Sequence, residues 1–299
     1  MSNWDQNSET LATFLKECQA IQNNYKFILI DGGAAGKISE PFDVAAKLLQ
    51  IVRFEPRGEK EVSKSDNCIY VDGGLWENDG YQVLHIANNP TTSSICPPDL
   101  NFLAQFDPKY GVPTRRTVEE RRVKVRSIDS CVANGEFGLP NFIKLDVHSS
   151  ELPALEGAKN SLENCVGILV ETWNVGVHKN QGLHWQVEKF VMDHGFEIYD
   201  CYDGAKWRVL HEGNLCLADK RRYIGSDALY IKREIPKHLI YNKILILVLF
   251  GFYNEAKNLI KESNSSDLNG LYNGICDAQM AILKIMESEL IKLQNSGIR

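Results

Sequence analysis

The sequence predicts an α/β fold: a Rossmann-like, mostly parallel sheet with helices on both faces, followed by an all-helical appendage. Three observations predict it. Short, mostly apolar runs at 27–30, 51–54, 142–145 and 166–170 alternate with stretches of helical spacing. Each of those runs ends abruptly at an acidic residue, Asp31, Glu55, Asp146 or Glu171, and the first acid opens a cluster of glycines and alanines. From Pro236 onward only helical periodicity remains. The division is therefore residues 1–235 for the sheet domain and 236–299 for the helical extension.

Composition sets the frame. The 299 residues are 43% hydrophobic and 24% charged, enough for a sizeable core. A net charge of −6 speaks against a general nucleic-acid binder, which needs a basic field. The eight cysteines include no C-x-x-C pair, which argues against a zinc or redox motif and for reduced thiols in a cytoplasmic setting. No basic-plus-apolar leader opens the chain, and the most apolar run, 244–252, is too short to span a bilayer.

Taken in order, Leu11, Phe14, Leu15, Cys18 and Ile21 have the spacing of an amphipathic helix over 9–22. The first strand leads into Asp31-Gly-Gly-Ala-Ala-Gly36, a turn with little side-chain bulk where a ligand can approach the backbone. Three readings of this loop compete. The dinucleotide pattern G-x-G-x-x-G is not met, and a P-loop lacks the hydroxyl residue, since Ile38 follows Lys37. The third is the loop of S-adenosylmethionine (SAM) enzymes, an acid followed by small residues. Residues 41–49 read as a helix, and the second strand delivers Glu55, placed where Rossmann-like folds hold ribose hydroxyls.

A third strand is expected at 68–71 and an extra one at 82–86, then a polar loop over 88–94 and an irregular stretch over 97–113. The basic residues of 115–126 beside Glu119 and Glu120 read as a solvated mixed-charge face, with a site for an anionic substrate as the alternative. The strand 142–145 carries Asp146 and His148 to its carboxyl end, the edge where open α/β sheets bind ligands. Ser149 and Ser150 suit a helix cap, and Glu151 in the first turn is accounted for by the helix dipole alone. The strand 166–170 delivers Glu171 and Trp173 to the same edge. A helix at 184–194 and strands at 196–202 and 228–231 complete the sheet, the last two as a hairpin-like pair. In the tail, helices are expected at 237–250, 252–263 and 268–294, with apolar faces that need the domain or a second copy of the chain to cover them.

Together Ile30-Asp-Gly-Gly-Ala34, Arg53-Phe-Glu-Pro56, Ser127-Ile-Asp129 and Phe142-Ile-Lys-Leu-Asp-Val-His-Ser-Ser-Glu151 with Leu155-Glu-Gly-Ala158 resemble the FkbM family of SAM-dependent methyltransferases. The resemblance covers about 25–232. It departs where Val147-His-Ser-Ser150 stands in place of the family's usual Val-Glu-Gly stretch. It implies a class I methyltransferase sheet and methyl transfer from SAM to a hydroxyl of a sugar, glycan or natural-product-like small molecule, releasing S-adenosylhomocysteine (SAH). By that carry-over Asp31, Gly32, Gly33, Gly36, Glu55 and Asp129 bind SAM, Lys144, Asp146 and His148 are catalytic, and Glu171 and Trp173 face the acceptor. His148, with a side chain that titrates near neutrality, or Asp146 serves as the base. No metal site is assigned, although Asp146 with Glu171 is one place a divalent ion would be held. Trp76, Tyr110 and Trp185 join Trp173 as candidates for stacking on a sugar ring. The partners expected are a small-molecule or glycan acceptor and a second copy docked through the tail, with no nucleic acid. Two alternatives stay open: an NAD-dependent oxidoreductase, and a non-catalytic SAM- or nucleotide-binding scaffold.

Overall fold

A computed structural model describes residues 9–22, 25–58, 67–202 and 204–295. The chain divides into two compact units, one of residues 28–37 and 51–234, the other of 1–27, 38–50 and 235–299.

Twelve strands occur in chain order among the described residues: β1 (Ile28–Gly32), β2 (Gln50–Glu55), β3 (Cys68–Asp72), β4 (Gly74–Leu75), β5 (Gly80–Ala87), β6 (Thr117–Arg126), β7 (Phe142–Leu145), β8 (Gly167–Trp173), β9 (Phe196–Tyr202), β10 (Lys206–Trp207), β11 (Arg222–Tyr223) and β12 (Gly225–Lys232). Seven form the central sheet, in the order β3-β2-β1-β7-β8-β12-β9. β2 runs parallel to β3, β1 to β7 and β7 to β8, while β12 is antiparallel to both β8 and β9. The strand order reverses between β1 and β7, and such a switch point opens a crevice at the carboxyl ends of the strands.

Alternation explains the core. Ile28 and Ile30, Val52 and Phe54, Ile143 and Leu145, and Ile168 and Val170 all enter one apolar cluster. The helices Ile128–Ala133, Glu151–Glu156 and His184–Asp193 supply its other side through Ile128, Cys131, Ala154, Leu155, Val187 and Val191. A second, three-stranded sheet has the order β4-β6-β5. The strand expected at 82–86 belongs to it rather than to the central sheet. The arginine-rich run is its β6 partner, antiparallel to β5, with Leu84, Ile86 and Val123 as a small core. Glu119 and Arg121 do form a solvated pair, at 2.9 Å. Arg115 and Arg126 are buried, against the reading of one solvated face.

In the other unit, the helices are Ala12–Ile21, Ile240–Leu249, Tyr253–Ser263 and Asn269–Asn295. Residues 1–27 and 38–50, which sequence reading gave to the sheet domain, group here with the tail. The reason is packing. Gly274 brings the last helix so close to the first that a Cβ there would stand 2.7 Å from the Phe14 Cα. Tyr25 stacks on Tyr241 at 4.5 Å, and Phe42 meets Phe250 edge-on at 5.7 Å. The helix expected at 41–49 is corrected to a series of turns ending in the single 3-10 turn Ala46–Leu48. Its backbone closes i to i+3 bonds, such as Ala45 N to Phe42 O and Leu48 N to Ala45 O, and no α-helical ladder develops. The long last helix leaves Met280, Leu283, Met286 and Ile291 exposed. Among the described residues no helix is long and apolar enough to cross a membrane, and the eight cysteines are free thiols.

Candidate active site

The crevice is built from the ends of β1, β2, β7, β8 and β12. β1 is buried along its whole length and ends in Asp31-Gly32. Asp31 is buried and paired with two basic side chains. Its Oδ2 accepts from Arg53 Nε at 3.2 Å and its Oδ1 lies 3.4 Å from Lys144 Nζ, all three side chains being buried or nearly so. Arg53 also donates to the carbonyls of Ala34 and Gly36, so the buried pair shapes the glycine loop from beneath. Gly33, with φ of +81°, lies against β7: a Cβ there would stand 1.9 Å from the Asp146 carbonyl oxygen.

Beyond β2, Glu55 is held by Arg57, whose backbone N–H donates to Glu55 Oε1 at 2.8 Å and whose Nε does so at 3.1 Å. Arg57 Nη1 then donates to the Pro90 carbonyl at 2.7 Å, tying the polar loop over 90–94 to this end of the site.

Beyond β7 the chain makes a tight turn with His148 at φ of +50° and Ser149 at +83°. Glu151 holds that turn closed. Its Oε1 accepts the N–H groups of Val147 and Ser149, each at 3.1 Å, and burial raises its pKa. The role is structural, as the sequence allowed. The turn aims the His148 ring between two acceptors, Glu171 Oε2 at 3.0 Å from Nδ1 and the Thr91 carbonyl on Nε2. Burial works against charging this ring, but the Glu171 carboxylate outweighs it and lifts the pKa to about 9. An imidazole donating from both nitrogens has no lone pair for a substrate proton. The expectation of His148 as a near-neutral base is therefore corrected.

Glu171 comes from β8, and β12 sets Asp227 directly across the ladder from it. Burial, then the nearby Glu171 and Asp146, push Asp227 up to about 6. These ends line a cavity of about 400 Å³ whose walls include Gly33, Glu55, Thr91, Asp146, His148, Glu171 and Asp227.

Of the residues proposed from sequence, Gly33, Glu55, Asp146, His148 and Glu171 meet at this cavity; Asp31, Gly32, Gly36, Asp129, Lys144 and Trp173 are not among its lining residues. Lys144 keeps its charge: burial opposes it, but Asp31 and then Asp146 raise its pKa. Trp173 is buried, with the Arg115 guanidinium carbon 5.4 Å from its ring centre and Trp207 at 6.2 Å. Tyr110 stacks on Trp207 at 5.5 Å, so both aromatics are packing elements here. Asp129 accepts from Asn160 N and Ser161 N at 2.9 Å each, and from the Ser161 hydroxyl at 2.6 Å. We expect Asp129→Ala to lower stability by about 1–2 kcal/mol, as loss of a backbone-capping carboxylate does, and to leave SAH affinity unchanged. Urea unfolding and calorimetry together check this, and a large affinity loss would return Asp129 to the site.

The model of the methyltransferase FkbM domain matches residues 35–198. The chain belongs to the FkbM methyltransferase family. The resemblance read from its motifs holds, and the match begins just after Asp31 to Gly33. Three solved structures show likeness. The methyltransferase FkbM of Methylobacillus flagellatus KT is 13% identical with a TM-score of 0.37, over 70% of this chain and 44% of that one. The chain thus spans less than half the length of that protein. Magnesium protoporphyrin IX methyltransferase of Synechocystis PCC 6803, solved with bound SAM, is 10% identical with a TM-score of 0.32, over 75% and 79%. Precorrin-6y C5,15-methyltransferase of Geobacter metallireducens GS-15 is 10% identical with a TM-score of 0.32, over 78% and 92%. No curated relative matches at the sequence level.

Within this FkbM member, sequence reading missed Asp227, Arg57 and the Thr91 carbonyl. Asp227 stood at the head of an expected strand, yet only the β8–β12 register places it beside Glu171. Arg57, two residues past an acid, was the one local signal on offer.

Proposed function

We propose that this FkbM protein is a SAM-dependent O-methyltransferase acting on a hydroxyl of a sugar, glycan or natural-product-like small molecule. The observation that carries the reading is the acid-lined cavity at the switch point of the sheet, with Glu55 on one wall and Asp146, Glu171 and Asp227 on another. Its volume of about 400 Å³ falls in the range of small-molecule sites. The residues present fit SAM. Glu55 offers a carboxylate to the ribose diol, Gly33 and Ala35 leave the loop backbone open, and the carboxylates complement a sulfonium charge. Phe54, Pro56 and Leu75 supply apolar wall.

When bound, SAM supplies an electrophilic methyl group, and SAH is the product that leaves. The chain's own task is to hold a hydroxyl in line with that methyl and take its proton. Asp227 fits the second role, since it lines the cavity with a pKa pushed up to about 6 by burial. Ionised at neutral pH, it accepts the hydroxyl proton as the oxygen forms its bond to carbon. Lys144, pinned between Asp31 and Asp146, is a positioning residue. Carboxylates accept hydrogen bonds and donate none, so this wall favours an acceptor rich in hydroxyl groups.

The test is calorimetric titration with SAM, SAH and NADH. Micromolar SAH binding, weakened by more than about tenfold (1.4 kcal/mol) in Glu55→Ala, is expected. Absence of SAM and SAH binding, or NADH binding in their place, would overturn the reading.

A further inference from the structure

One oxygen of Asp146, one ring nitrogen of His148 and one oxygen of Glu171 all lie within 4.8 Å of one another. Atoms bonded to one divalent ion at about 2.0–2.2 Å are at most about 4.4 Å apart. Three atoms sharing one ion sit closer still, about 3–3.8 Å apart; His148 Nδ1 and Glu171 Oε2 already do so at 3.0 Å, so Asp146 is the group that must move in. Asp146 has the freedom for it, its side chain being 48% exposed.

Two further features separate this group from an ordinary acidic cluster. The His148 ring is oriented from behind by the Thr91 carbonyl on Nε2, which leaves Nδ1 on the Glu171 side. A histidine that ligates a metal donates its other ring N–H in this way, commonly to a backbone carbonyl, which fixes its tautomer and direction. The three residues also line the cavity, so positions not taken by protein would open onto it. Three protein ligands with an open position are the pattern of catalytic metal sites, where structural sites are closed.

We propose that Asp146, His148 and Glu171 form a three-ligand site for a divalent first-row transition ion of the Mn²⁺ kind, with its open positions facing the acceptor's hydroxyl oxygen. One imidazole with two carboxylates suits such an ion better than Ca²⁺ or Mg²⁺, which prefer all-oxygen shells. The Nδ1 proton that His148 shares with Glu171 leaves to solvent as the ion enters. Facing the acceptor rests on the methyltransferase reading; holding the ion does not.

The test is titration of the chelator-treated full chain with Mn²⁺, followed by electron paramagnetic resonance, in the wild type, His148→Asn and Asp146→Asn. One saturable ion per chain is expected, bound at least about tenfold more weakly in each variant. Asp146→Asn, at a half-exposed side chain, keeps the test valid if His148→Asn does not fold. No saturable binding to the wild type, or binding unchanged in Asp146→Asn, would overturn the site. Equal competition by Mg²⁺ would overturn the imidazole as a ligand. SAH titration of the same samples separates the two readings. SAH binding without Mn²⁺ binding removes the metal site alone, and Mn²⁺ binding without SAH binding keeps the ion and removes the methyltransferase reading.

Discussion

Gly33→Ala is expected to lower stability by more than about 3 kcal/mol, in the class of severe single substitutions, and to abolish SAH binding in whatever fraction folds. Two physical terms add. The residue sits at φ of +81°, a conformation L side chains rarely adopt, at a cost of roughly 1–2 kcal/mol for a side chain there. The added carbon would also stand 1.9 Å from the Asp146 carbonyl oxygen, which is backbone and cannot rotate away. The loop after β1 would have to part from the end of β7, and the cavity lies where those two meet. Gly36→Ala is the control. A Cβ there meets nothing within 4 Å, so its stability should stay within about 0.5 kcal/mol of wild type. Urea denaturation of the three proteins decides it, and an unaffected Gly33→Ala would mean that the loop does not abut β7 as described.

Arg53→Met is expected to cost about 3–5 kcal/mol, the range for removing one partner of a buried ion pair. Asp31 would keep its charge in a buried place with only Lys144, at 3.4 Å, to balance it. Lys144 also serves Asp146 at 3.8 Å, so it is shared. Two loop carbonyls, those of Ala34 and Gly36, would lose their donor as well. Adding Asp31→Asn to Arg53→Met removes the stranded charge, and the double variant should recover at least about 1 kcal/mol as coupled neighbours do. Thermal and urea unfolding of the four proteins closes the cycle. A loss below about 1 kcal/mol in Arg53→Met alone would show that the pair is not the support of the loop.

Much of the sheet was legible because buried strands announce themselves. β1 opens as an unbroken apolar run and β7 as one interrupted only by Lys144, each stopping at an acid, and both the runs and the stops are local. The tail helices were legible for the same reason, with the break at Gly251 marked by its φ of +86°. The site divided differently. Glu55, Asp146, His148 and Glu171 could be placed because each follows or ends a strand by simple counting. Side-chain direction could not. Asp129 and Trp173 stand at suggestive positions, yet one turns to cap Asn160 and Ser161 and the other is buried beside Trp207. Asp227 reaches the cavity only because β12 inserts antiparallel between β8 and β9, a pairing between distant segments that no local period encodes. The Thr91 carbonyl is backbone, and residue identity carries no sign of where a carbonyl points.

The loop over 90–94 is a shared tether. At one end Arg57 reaches from Glu55 to the Pro90 carbonyl; at the other, His148 takes the Thr91 carbonyl on its ring and the Ser94 hydroxyl on its own backbone oxygen. A molecule that draws Glu55 away from Arg57 slackens one end, and one that engages His148 slackens the other. Occupants of the two halves of the crevice therefore answer to the same five residues. Whatever factor the first exerts on the affinity of the second, the second must exert on the first.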